Sequence, residues 1–176
     1  MAEKRDLLLR ILRERLISIL MERGFEQIAL SKEEKRSREV NFSFPFGYMR
    51  RAKGADLELL EIQLDKHGAA RFVLNFGIVS PEGADVPWKH FEQNEARVSA
   101  LPEWYRLHSC RGCMKWFSPS WITLSSDEIS RITKAVDHAV ALFPEIECWF
   151  ATRTVGPHMR RVGYPIKLKQ GRSADR

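Results

Sequence analysis

Two runs of strict alternation separated by a short turn constrain this chain more than any other feature. Leu60, Ile62 and Leu64 alternate with Glu61, Gln63 and Asp65, and after the turn Phe72, Leu74, Phe76 and Ile78 take up the same period. A period of two puts every second side chain on one face of a strand, so each run presents one apolar face. Asp65-Lys66-His67-Gly68 fits a type I turn closed by a glycine bulge, because Gly68 tolerates the left-handed conformation that bulge needs. A three-residue loop predicts Ile62 opposite Phe72 and Leu60 opposite Leu74 on the core side. Glu61, Gln63, Arg71 and Asn75 then share the other side, with the carboxylates Glu58, Glu61 and Asp65 on a solvent face.

An apolar hairpin face needs a cover. Residues 4 to 23 supply one, with Leu8, Ile11, Leu12, Leu16, Ile19 and Leu20 at helical spacing and Gly24 as a left-handed C-cap. Ser125 and Glu128 have capping-box spacing and open a second helix, whose stripe is Ile129, Ile132, Val136, Ala139, Val140 and Phe143. Pro144 is expected to stop or kink it, leaving Ile146, Trp149 and Phe150 on a short successor. Between these helices, the charged run Lys32 to Glu39 reads as a loop and Val40, Phe42, Phe44 and Phe46 as a half-buried strand ending near Pro45. Residues 80–87 read as a loop. From Trp88 to Trp121 periodicity is weak and aromatics are dense.

Strands that run together, with helices at either end and no βαβ alternation, predict an α+β fold: an antiparallel sheet packed by an N-terminal and a C-terminal helix. With 176 residues, 44% hydrophobic and 30% charged, the chain suits one globular domain. That domain is assigned to residues 1–155, followed by a basic, flexible tail over 156–176. From Arg153 onward, seven basic residues face Asp175 alone, a surplus equal to the net charge of +6 for the whole chain. The body is therefore neutral, and any polyanion contact falls to Arg160, Arg161, Lys167 and Lys169 in the tail, beside Arg50, Arg51 and Lys53. Nucleic acid is not the expected partner. Nor is a membrane, since Arg10, Arg13, Glu14 and Arg15 interrupt the N-terminal apolar positions. Three cysteines, too few and odd in number for a disulfide framework, point to a reducing, cytoplasmic setting.

Several strings resemble an uncharacterised bacterial domain family, number 4304 among the domains of unknown function. They are Phe44-Pro45-Phe46-Gly47-Tyr48-Met49-Arg50-Arg51, the stretch from Glu61 to Gly68, Phe72-Val73-Leu74-Asn75-Phe76-Gly77, Ile146-Glu147-Cys148-Trp149-Phe150 and Gly156-Pro157-His158. The resemblance spans most of residues 5 to 160. It implies a bacterial, cytoplasmic, single-domain protein and brings no activity with it.

Candidate chemistry concentrates in His108-Ser109-Cys110-Arg111-Gly112-Cys113. Cys-x-x-Cys spacing brings two sulfurs within reach of one zinc, with His108 as a third ligand and Cys148, His90 or His138 as a fourth. The same pair can act as a redox dithiol, or as two cysteines without chemistry. Trp104, Tyr105, Trp116 and Trp121 make a candidate binding surface, or else fill a small core of their own. Asn75 stands where an RNA-recognition sheet would carry an aromatic. No phosphate loop, nucleophile elbow, metalloprotease helix or dinucleotide fingerprint is present. No catalytic residue and no cofactor are assigned, zinc remaining the alternative. The expected function is a non-enzymatic binding domain for a protein or small ligand; the metal or thiol site and nucleic-acid binding through the tail are the alternatives.

Overall fold

The computed structural model describes residues 2–86, 89–119 and 127–163. Helix α1 (Ala2–Ile11) passes through a π-helical stretch (Leu12–Ile17) into α2 (Ser18–Glu22) as one continuous rod. The wider π turn advances the apolar stripe by one residue, so Ile17 is buried and Ile19, expected on the stripe, is half-buried. Strand β1 (Glu26–Ile28) follows.

The next segment departs from expectation. Lys32–Arg36 is a short helix, α3, and Arg38–Ser43 is another, α4, where a loop and then a strand were predicted. Local capping decides the outcome: Ser31 and Glu34 form a reciprocal capping box, and Ser37 accepts from the Val40 amide. Phe42 lies exposed beneath the Arg5 guanidinium, 3.7 Å from its ring centroid.

Strands β2 (Tyr48–Lys53), β3 (Asp56–Leu64), β4 (Phe72–Val79), β7 (Trp104–Leu107) and β8 (Met159–Arg161) join β1 in a six-stranded antiparallel sheet of order β1-β2-β3-β4-β7-β8. Strands β5 (Ala84–Val86) and β6 (Lys89–Phe91) form a separate ribbon within and beyond the expected loop. In the central hairpin Leu64 faces Phe72, Ile62 faces Leu74 and Leu60 faces Phe76. The connection is longer than predicted because Asp65 organises it, accepting from the His67 and Ala69 amides at 2.8 and 3.3 Å and from Arg71 Nε at 2.8 Å. The register moves by two residues, which preserves which side chains share a face.

Helix α5 (Glu128–Thr152) starts from an Asp127 N-cap and runs through Pro144 without stopping. Ser125, the predicted cap, lies outside the described residues. Pro144 is exposed, while Phe143, Ile146, Trp149 and Phe150 are buried, and their packing holds the chain helical across the missing backbone donor. Ile129, expected on the stripe, is exposed.

The fold is α+β as predicted. The helical rod and α5 cover one face of the sheet, burying Leu12, Leu16, Leu60, Ile62, Phe72, Phe76, Val136 and Phe143 in the main core. A smaller cluster of Leu59, Val79, Ala84, Ala96, Val98 and Leu101 packs part of the other face. The expected tail begins inside the fold: Met159–Arg161 pairs with β7, and the Val162 amide donates to the Trp104 carbonyl at 2.9 Å. Residues 164–176 lie outside the described residues, Lys167 and Lys169 among them. Among the described residues no helix is long and apolar enough to cross a membrane.

Candidate functional site

The second face of the sheet carries a polar layer that the solvent-face reading missed. Glu61 and Asn75 are direct cross-strand partners on β3 and β4, and Asn75 is in turn opposite Arg106 on β7. Direct partners share a face, so the three form one row across the sheet. Glu61 is only 3% exposed and Asn75 2%. The segment from Ala96 to Leu101 lies over this end of the row, and its Val98 amide donates to Glu61 Oε1 at 2.9 Å. Gly77 permits that approach, since a Cβ there would stand 2.4 Å from the Leu101 side chain. Burial raises the Glu61 carboxyl to about 7, against the opposing pull of the Val98 amide, the Arg97 charge and Asn75.

Beside Glu61, Arg97 Nε lies 3.2 Å from Glu34 Oε1, and Tyr48 donates its hydroxyl to the same oxygen at 2.8 Å. Burial alone would raise Glu34, but bonds from Ser31, Tyr48 and Arg97 bring it down to about 2. Burial and the facing Glu34 push Tyr48 upward. The crevice among Tyr48, Glu61 and Arg97 has about 10 Å³ of free space, room for roughly one water.

At the other end of the row the layer opens. Arg106 Nε donates to Asn75 Oδ1 at 2.8 Å and Arg106 Nη2 to Gln63 Oε1 at 2.8 Å, while Asn75 Nδ2 donates to the same Gln63 oxygen at 3.0 Å. The guanidinium is half-buried, and burial lowers its pKa. Among the described residues, no carboxylate lies within ion-pair distance of it.

His108 directly follows β7, two residues beyond Arg106. It is 2% exposed, and its Nδ1 is buried without a hydrogen-bond partner among the described residues. Burial lowers its pKa, and the charges of Arg106 and Arg160 lower it further. The loop brings the Cys110 and Cys113 sulfurs together at disulfide distance, with Cα atoms 5.7 Å apart. Cys148 is exposed on α5, where its Sγ is 3.7 Å from Thr152 Oγ1, and it does not join them. His90 pairs instead with Asp85 at 2.9 Å, and His138 packs edge-on to Phe117. Among the described residues, no group of three or more histidine, cysteine or acidic side chains is placed to hold a metal.

The four aromatics do not form one surface. Tyr105 is buried in the helical core, 5.0 Å from Trp149. Trp104 is half-buried, with its ring 5.6 Å from the Arg106 guanidinium. Trp116 is half-buried beside Arg71, and Trp121 lies outside the described residues. Arg160 and Arg161 are exposed on β8, and Arg161 reaches Glu103 at 3.9 Å.

The alternation that placed Glu61, Gln63 and Asn75 together was the available signal for this layer. Its contacts with Arg106 come from positions 31 and 43 residues away in sequence, and the Arg97–Glu34 pair beside it spans 63, so none left a local trace. Comparison with known proteins found no matching family model, curated protein or solved structure.

Proposed function

We propose that this chain is a non-enzymatic, cytoplasmic binding domain that takes a small ligand on the open half of the second sheet face, around Arg106. The observation that carries this reading is the fixed guanidinium. Asn75 and Gln63 satisfy two of its nitrogens without neutralising it, so the group is oriented before anything binds, which lowers the ordering cost of association. A binding rather than catalytic role is supported by the position of Glu61. Its carboxyl is raised to about 7, yet it is closed off beneath Val98.

A fragment screen followed by protein NMR tests the reading. Ligands are expected to shift the Arg106 Nε–H and the side-chain amides of Gln63 and Asn75, and to be recovered unchanged. Hits clustering away from this face, or fragments converted during the measurement, would overturn it.

A further inference from the structure

We propose that Arg106 and Arg160 form a site for a doubly charged oxyanion group, the phosphate monoester or dicarboxylate of a small ligand. The proposal rests on the binding role given above and names the chemistry of its ligand.

Arg106 and Arg160 are direct partners in the β7–β8 register, so their side chains leave the same face of neighbouring strands. Like charges placed opposite each other destabilise a strand pair unless something of opposite sign sits between them. Elsewhere on the sheet that partner is supplied internally. Arg51 binds Glu58 and Glu147, Arg97 binds Glu34, and Arg161, one residue along, reaches Glu103. Among the described residues, neither Arg106 nor Arg160 has a carboxylate within ion-pair distance.

The two arginines differ usefully. Arg106 is held by Asn75 and Gln63 through Nε and Nη2, leaving Nη1 for a ligand. Arg160 is exposed and free to close over what Arg106 has captured. His108, whose buried Nδ1 lacks a partner, adds no negative charge to the group. Two guanidinium charges on the same face of adjacent strands match a dianion better than a monoanion, because each can pair with a different oxygen.

Inorganic phosphate and malonate, titrated separately into the full chain at low ionic strength, test the assignment by NMR of the Arg106 and His108 side chains. Saturable shifts are expected, with a rise in the His108 pKa as the anion offsets the two positive charges. Arg106→Gln should weaken binding by about tenfold or more, and Arg160→Gln by a smaller factor, since one charge-assisted pair is lost in each. Arg160→Glu should abolish binding yet raise the melting temperature of the unliganded protein, by pairing with Arg106. Stronger binding of phosphate assigns a phosphate ligand, and stronger binding of malonate a dicarboxylate. Shifts no greater than those caused by sodium chloride, or undiminished binding by Arg160→Glu, would overturn the proposal. If neutral fragments bind this face and neither anion does, the binding role survives and the oxyanion assignment falls.

Discussion

The two faces of the sheet solve the problem of burial in opposite ways. The helical face excludes water with Leu12, Leu16, Leu60, Ile62, Phe72 and Phe76, and non-directional burial supplies its energy. The second face buries Glu61 and Asn75 almost as deeply but satisfies them by directed bonds, from Val98 to Glu61 and from Arg106 to Asn75. A face of the first kind specifies a fold and tolerates any apolar residue of suitable volume. One of the second kind fixes particular side chains in particular orientations, the state a binding site requires.

The contrast breaks most readily on the helical face. Leu16 is fully buried at the junction of the rod and the sheet, and Leu16→Asp is expected to cost about 5 kcal/mol by placing an unpaired charge there. Exposed Arg13→Ala, three residues away, should cost under about 0.5 kcal/mol. Chemical denaturation of both variants checks the pair, and similar midpoints would show that the rod does not carry the core.

The helical face carries a buried ionic exception, which sharpens the comparison. Glu58, only 1% exposed, accepts from Arg51 Nε at 2.6 Å, and Arg51 also binds Glu147 of α5 at 2.7 Å. Arg51→Ala leaves Glu58 buried without a partner and should cost about 4 kcal/mol. The double variant Arg51→Leu with Glu58→Leu should recover much of that loss. No recovery would mean that Arg51 acts chiefly through its contact with the Phe25 ring, 4.4 Å away.

The same contrast explains what the sequence could convey. Burial by apolar surface leaves a period, and the periods at 60–64, at 72–78 and along the flanking helices placed the central hairpin and both covers correctly. Period and cap compete where both occur: the phenylalanines at 42, 44 and 46 alternate, yet Ser37 and the Ser31–Glu34 box start helices that overrule them. The polar layer had half a signature. Alternation put Glu61, Gln63 and Asn75 on one face, but identical letters describe a solvated face and a buried network. What separates them is the Ala96–Leu101 segment folding over, a long-range event without a pattern. Strand β8 was hidden for a related reason, since three residues of an edge strand in a basic stretch carry no recognisable period.

Glu61 gives the second face a measurable pH signature. Its carboxyl titrates near 7 in the folded protein and near 4.5 unfolded, so between those values the folded state binds more protons. Stability is thus complete below about pH 4.5 for this group and falls as pH rises through 7, by up to about 3 kcal/mol. Glu61→Gln keeps an acceptor for Val98 and removes the charge. Its melting temperature should lack the wild-type decline between pH 5 and 7.5 and exceed that of wild type at pH 8. Parallel profiles for the two proteins would show that the carboxylate is already ionised, and the second face wetter than its geometry indicates.

The smallest effect belongs to the cysteines, at the edge of that face. A disulfide between Cys110 and Cys113 closes a loop of four residues, for which the loss of unfolded-chain entropy stabilises by at most about 2 kcal/mol. The loop has independent support: the Ser109 amide donates to Lys115 O at 2.9 Å, Ser109 Oγ donates to Trp116 O at 3.0 Å, and the Gly112 amide donates to Pro157 O at 3.4 Å. Neither cysteine belongs to either apolar cluster. Cys110→Ser with Cys113→Ser is therefore expected to lower stability by about 1 kcal/mol and to leave the Arg106 and His108 resonances in place. Adding a chelator to the reduced wild type should not change its melting curve, because a zinc held by two sulfurs lacks half of its ligands. A chelator-dependent loss of several degrees would require a third and fourth ligand to reach the loop, and His108 would then be the first residue to replace. A loss well beyond 2 kcal/mol in the serine variant would mean that the loop braces β7 itself, and that the open end of the polar layer depends on a covalent clip rather than on its own hydrogen bonds.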